Sequence, residues 1–140
     1  MNATPADPAD PDAALVLAAH TAYARGDIDT AVAGLHPDVE WIEPEEFPGG
    51  GTRRGRAAVH AYLSASYAMW SELHCEPAAY RNGNDIVAVH HVHGRLTDAT
   101  THELHATDVF TVQGGQIVRM HAYTNPTEVL QKGQEHFRGN

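Results

Sequence analysis

The chain has 140 residues, with nine Lys and Arg against 18 Asp and Glu and a formal net charge of −9. This balance excludes the basic footprint that a nucleic acid or an anionic membrane surface requires, and the length suits one domain with a real core. Cys75 is the single cysteine, the N-terminus lacks a basic and apolar leader, and no apolar run is long enough to span a bilayer. A cytoplasmic protein acting on a small organic ligand is the expectation.

Residues 1–11, with Pro5, Pro8 and Pro11 set between acids, read as a mobile tail. From Asp12 the spacing of Leu15, Ala18, Ala19 and Ala22 predicts a helix that stops at Arg25-Gly26. Asp27 caps a shorter one through Ile28, Ala31, Val32 and Leu35, ended by His36-Pro37. Val39 to Glu43 reads as a short strand running into Pro44. Glu45 to Gly55 reads as a loop able to close over a pocket; its glycines lack the Gly-Lys-Ser/Thr ending of a phosphate cradle. Arg53, Arg54 and Arg56 then lead into a long helix whose stripe of Val59, Tyr62, Leu63, Ser66, Met69, Trp70 and Leu73 is expected in the core. Strands follow over 74–81, 85–96, 101–112 and 116–124, with turns at Asn82-Gly83-Asn84 and Gly114-Gly115. Helices first and a strand meander after is an α+β plan, with a domain over 12–131 and a second tail over 132–140.

Asp108 is the anomaly in this pattern, an acid within Ala106-Thr107-Asp108-Val109-Phe110-Thr111-Val112, a run otherwise typical of a strand packed on a core. On the face of Ala106, Phe110 and Val112 it points into apolar surroundings, where desolvation and neighbouring groups move carboxyl pKa values toward those useful in proton transfer. The competing role is structural, pairing with an arginine or a backbone donor.

Ala24-Arg25-Gly26-Asp27, His36-Pro37-Asp38-Val39-Glu40-Trp41, the Arg54-Gly55-Arg56 helix entry, and Asp108-Val109-Phe110 with Gly115-Gln116-Ile117-Val118 and Tyr123 together resemble the SnoaL-like branch of the nuclear transport factor-like superfamily. The resemblance spans residues 12–131 and implies a cone-shaped α+β barrel, its helices packed on a curved antiparallel sheet around a pocket. The superfamily holds ketosteroid isomerases, epoxide hydrolases, polyketide cyclases, dehydratases and non-catalytic binding domains, so the site must decide the function. Glu43-Pro44 matches the ketosteroid isomerase base, and Asp108 falls where those enzymes keep a protonated acid. Ala19 occupies the place of their oxyanion tyrosine, and Ala122 that of the last acid of the limonene-type epoxide hydrolases. Against the polyketide cyclases, Asp108 matches the proposed base that removes a proton beside a carbonyl.

The resemblance therefore implies an acid–base enzyme acting on a small, largely apolar carbonyl compound, needing neither metal nor cofactor, with Asp108 as the first candidate base and Glu43 the second. His20, Trp41, Tyr62, Tyr67 and His90 are candidate donors to the enolate oxygen, and Phe110 and Met120 candidate apolar wall residues. The alternative is a non-catalytic small-molecule-binding module; an epoxide hydrolase or a metal-dependent enzyme fits less well. His91, His93, His105 and Glu103 suggest a metal set, but Glu103 lies too far along the chain for the cupin pattern. These histidines are expected on the outer face of the sheet, with at least one residue of His90-His91-Val92-His93 inward. A two-residue Gly114-Gly115 turn pairs Asp108 with His121. A three-residue loop pairs it with Met120 and places Val118 and Ala122 on its face, giving the more apolar inner surface and the preferred register. His121 and Tyr123 then turn outward, onto a face expected to form a homodimer.

Overall fold

The structure, a computed structural model, describes residues 3–46 and 49–123. Asp10 caps the first helix, α1 (Pro11–Ala24), its carboxylate accepting from the backbone N–H of Asp12 and Ala13, with Pro11 at the first helical position where no N–H is needed. The same carboxylate receives a two-pronged contact from Arg81, at 2.7 and 2.9 Å, and Arg81 also reaches Asp12 at 2.9 Å. This clamp ties down the residues ahead of the helix. Thr4–Pro5 forms an edge strand, β1, paired with Arg81 and Tyr80, and Ala6 donates to the carbonyl of Ala79. The expected mobile tail is therefore corrected for residues 3–11: the cap residue finds its arginine far along the chain, a partner that local composition does not reveal. The expected tail over 132–140 lies outside the described residues.

Helix α2 (Ile28–Val32) is capped by Asp27 and ends earlier than expected, since Leu35 opens strand β2 (Leu35–Glu43). Pro37 has no N–H for a ladder, and the pairing of β2 shifts register between Leu35 and Glu40 around it. A short strand not anticipated from the sequence, β3 (Gly51–Arg54), returns antiparallel to β2 and sets Arg53 opposite Trp41 and Gly51 opposite Glu43. Helix α3 (Arg56–Tyr67) is followed by β4 (Trp70–Asn82), β5 (Asp85–Leu96), β6 (Thr101–Gln113) and β7 (Gln116–Tyr123). Trp70 and Leu73 thus belong to a strand, not to the helix.

The seven strands form one sheet in the order β1-β4-β5-β6-β7-β2-β3. Pairing is antiparallel along the β4–β7 meander, but β2 joins β7 in parallel, so the sheet is mixed where a purely antiparallel one was expected. The β6–β7 register is neither of the two anticipated. Gly114-Gly115 does make a two-residue turn, with Gln113 opposite Gln116, and an irregularity at Val118 then shifts the ladder so that Asp108 faces Ala122 and Phe110 faces Met120. One extra residue in β7 reverses the side-chain faces beyond it. Ile117, Met120 and Ala122 therefore turn inward and Val118 does not.

Val16, Leu35, Val39, Val59, Ile86, Ile117 and Met120 are fully buried between the helices and the sheet's inner face. Each such side chain contributes about 1.5–3 kcal/mol of transfer free energy. Of α3 only Val59 joins this core. The rest of its stripe, expected in the core, lines a cavity instead. On the outer face, cross-strand register stacks His74 on His93 and His91 on His105, and His91 and His93, two apart on β5, stack on each other, with ring centroids 4.7–5.0 Å apart. Glu72, Glu76 and Glu103 lie beside these rings.

Candidate active site

Helix α3, the inner faces of β2 and β4–β7, and the second half of α1 enclose a cavity of about 930 Å³. Ala58, Ala61, Leu63, Leu73, Val92, Leu104, Ala106 and Phe110 make its wall predominantly apolar, and its polar groups gather in two clusters.

The first cluster is His20, His90 and Asp108. Asp108 on β6 sits opposite Ala88 and His90 on β5 opposite Ala106, so the two side chains are diagonal neighbours on one face. His90 Nε2 donates to Asp108 Oδ2 at 3.0 Å. From α1, His20 Nδ1 donates to the carbonyl of Val16 at 2.9 Å, which fixes its tautomer, and places Nε2 3.5 Å from the same carboxylate oxygen. A neutral His20 would aim a lone pair at an anion. An imidazolium aims an N–H at it instead, and the ring sits 4.9 Å from His90 in a T-shaped arrangement.

Burial by itself opposes charge on His20, yet the hydrogen bond and the charge of Asp108 outweigh it and raise its pKa above the ordinary value. Burial likewise pushes Asp108 upward, but hydrogen bonds from His20 and His90 prevail and hold its carboxyl well below the usual carboxylate range. The expectation of a carboxyl raised toward proton transfer, or kept protonated as a donor, is corrected: Asp108 is an ionised counter-ion. His90 Nδ1 is buried without a hydrogen-bond partner among the described residues.

The second cluster is Glu43, Trp41, Arg53 and Tyr62. Val39, Trp41 and Glu43 alternate onto the inner face of β2, and Trp41 Nε1 donates to Glu43 Oε1 at 2.8 Å. Burial, assisted by the negative charge of Asp108, raises the Glu43 pKa to about 7 against the weaker lowering effects of Trp41 and Arg53. A carboxyl there exchanges its proton near neutrality, which suits a general base or acid. Burial and the Glu43 charge push Tyr62 up to about 12, so it stays a neutral phenol. Tyr23, hydrogen-bonded to Ser66 at 2.7 Å, is raised to about 12 chiefly by burial, and burial raises Cys75 to about 11, which keeps that thiol protonated.

Of the residues anticipated at the site, His20, Trp41, Glu43, Tyr62, His90, Asp108 and Phe110 line the cavity together. Tyr67 and Met120 do not. Tyr67 packs edge-on against Tyr23 and over Gly26, and Met120, 1% exposed, is a core residue brought inward by the β7 irregularity. Arg53 is the functional candidate that sequence reading missed, because only its place opposite Trp41 in the unanticipated β3 turns it into the cavity. Among the described residues potential metal donors also converge within 4.8 Å in three groups, namely His20-His90-Asp108, Glu76-His91-His93 and His91-Glu103-His105, the last two on the outer face.

The SnoaL-like domain family model matches residues 16–120. TerC, crystallised with polyporic acid, superposes with a TM-score of 0.73 at 23% identity over 89% of this chain and 99% of its own. An NTF2-like protein of unknown function from Burkholderia pseudomallei gives 0.75 at 21% identity, over 87% and 96%. A proposed polyketide cyclase from Xanthomonas campestris pv. campestris gives 0.69 at 28% identity, over 88% and 96%. No curated protein sequence matches the chain. The matched segment runs from within α1 into β7 and includes every residue of both cavity clusters, and the chain belongs to the SnoaL-like domain family.

Proposed function

We propose that the protein is a cofactor-independent acid–base enzyme that removes a proton beside the carbonyl of a small, largely apolar compound. The observation that carries this reading is Glu43, a carboxyl with a pKa near 7 in the wall of an apolar cavity that also holds the neutral phenol of Tyr62. In this reading Glu43 takes the proton, and the electron pair of the broken C–H bond moves onto the carbonyl oxygen. Both N–H groups of His20 are taken up by Val16 and Asp108, so the neutral Tyr62 phenol beside Glu43 donates to the oxyanion, and the protonated Glu43 returns its proton at another carbon or to the alkoxide formed when the enolate closes a ring on a second carbonyl. The proton-accepting role first assigned to Asp108 passes to Glu43, because a carboxylate that strongly prefers its anion is a weak base. The relative from Xanthomonas, a proposed polyketide cyclase, is consistent with such chemistry.

The experiment uses 2-tetralone, a bicyclic ketone with acidic α-protons, and follows deuterium incorporation from D2O by NMR. Protein-catalysed exchange is expected to rise through pH 7 as Glu43 ionises. A second reading, a binding module without turnover, is favoured by the ion-paired state of Asp108. Saturable binding of 2-tetralone with exchange no faster than in buffer would establish it in place of the first.

We also read the outer sheet face as a homodimer contact. A two-fold axis there would bring together copies of His91, His93 and His105, whose rings already stack within one chain. Glu76 and Glu103 lie beside these rings and would take part in the same contact. Sedimentation at fixed salt and concentration is expected to show a dimer. A monomer would overturn the reading.

A further inference from the structure

We infer that the cavity's ligand carries an anionic oxygen, a carboxylate or an ionised acidic enol or phenol, and that Arg53 receives it. The inference rests on the cavity assigned above and names its substrate class. Among the described residues Arg25, Arg54, Arg81 and Arg119 face carboxylates, Arg56 donates to the carbonyl of Leu35, and Arg95 is exposed to water. Arg53 Nη1 is buried with no hydrogen-bond partner among the described residues, although the chain has 18 acids with which to supply one. A buried charged donor left open costs more than an ordinary unmade hydrogen bond, so its persistence calls for an acceptor that the ligand brings.

The guanidinium is also held in place to receive one. Its Cζ lies 4.0 Å over the ring of Tyr62, a cation–π contact that fixes the plane of the fork. Its strand sets it opposite Trp41, so Arg53 and Glu43 are diagonal neighbours on the inner face of the β2–β3 pair. An added Cβ on Gly49 would sit 3.3 Å from Arg53 Nη2, so the bare glycine backbone leaves the fork its room.

The charge balance of the wall agrees. His20 and Asp108 compensate each other, and with Glu43 protonated Arg53 remains as the one uncompensated charge among the described lining residues. The fork matches the geometry of a carboxylate or a pair of adjacent acidic oxygens, while the apolar walls take the rest of the molecule. A ligand so held presents its carbonyl carbon framework beside Glu43 rather than at the His20 end alone.

The test is equilibrium binding of two matched probes, 2-naphthoate and 2-naphthamide, to wild-type protein and to Arg53→Gln and Arg53→Lys. Wild-type protein is expected to bind naphthoate about tenfold or more tighter than naphthamide, the margin of a charge-assisted hydrogen bond. Arg53→Gln should abolish that preference without lowering the melting temperature, since it removes a group with no internal partner, and Arg53→Lys should keep part of it. Equal affinities in wild type, a preference that survives in Arg53→Gln, or no binding of either probe at millimolar concentration overturns the inference. These outcomes are independent of turnover: a naphthoate preference without 2-tetralone exchange overturns the catalytic reading and leaves this one standing.

Discussion

Glu43→Gln is expected to abolish 2-tetralone exchange and, at the same time, to make the protein more stable at alkaline pH. The first effect follows from the loss of the base, a contribution of about 10²–10⁴-fold in rate. The second follows from the raised carboxyl. Its folded-state pKa of about 7 lies above the unfolded value, so the folded form binds the proton more tightly. Stability is therefore greatest below about pH 4.3 and falls as the pH rises toward 7, by an amount on the order of 3 kcal/mol once the carboxyl is ionised. The amide keeps the acceptor for Trp41 Nε1 and has no proton to lose. Melting curves of the two proteins should coincide below about pH 4.3, separate progressively as the pH rises to about 7 and stay apart above it, the variant melting higher. A variant that is less stable than wild type at pH 8 would mean that Glu43 has a structural partner as an anion, and that it is no poised base.

Asp108→Ala is expected to have the opposite signature, a loss of stability with a pH window of its own. Removing one partner of a buried ion pair costs about 3–5 kcal/mol, because the remaining charge has to be neutralised or endured. Asp108 is depressed in the folded protein, so its contribution is present above the unfolded carboxyl value and is lost as the pH falls through the folded one. His20 is raised, so its contribution is complete below the unfolded imidazole value and is lost as the pH rises through the folded one. The stability deficit of the variant should thus be widest between about pH 3.9 and 6.5 and narrow on either side. In the variant, burial without a counter-ion should bring the His20 pKa below the ordinary histidine value. Chemical denaturation across pH, with the His20 ring followed by NMR, reads both effects. An unchanged His20 titration would show that Asp108 does not act as the counter-ion of the ring.

Both predictions depend on which acid is poised and which is paired, and here local pattern and tertiary structure divide the work. Alternation places Asp108 among inward residues and Glu43 at the end of a strand before a proline, so both acids are legible as anomalies on apolar faces. The meander is legible for the same reason. Asp85–Leu96 and Thr101–Gln113 are long, alternating and β-branched, and their glycine turns are local signals that need no distant partner. That one of His90 and His91 turns inward follows too, since a strand with histidines at consecutive positions must present one to each face, but only the register shows that it is His90.

The sign of each pKa shift is another matter, because it is set by groups that meet only after folding. His20 approaches Asp108 from α1 and His90 reaches it diagonally across a strand pair, so the carboxyl that looked ready for proton transfer is the better solvated of the two, by imidazoles in place of water. Glu43, with one indole donor and an arginine acting at a distance, is left to burial. Arg53 acquires its role from β3, four residues too short to register as a strand in sequence and aligned only by pairing with β2. The β6–β7 register turned on a single extra residue near Val118, a deviation that changes no composition and leaves the turn chemistry intact. Hydrophobic periodicity and turn residues are short-range properties and determine which segments become helices and strands. Electrostatic environment depends on distances of a few ångströms between residues dozens of positions apart, and only the closed cone supplies those.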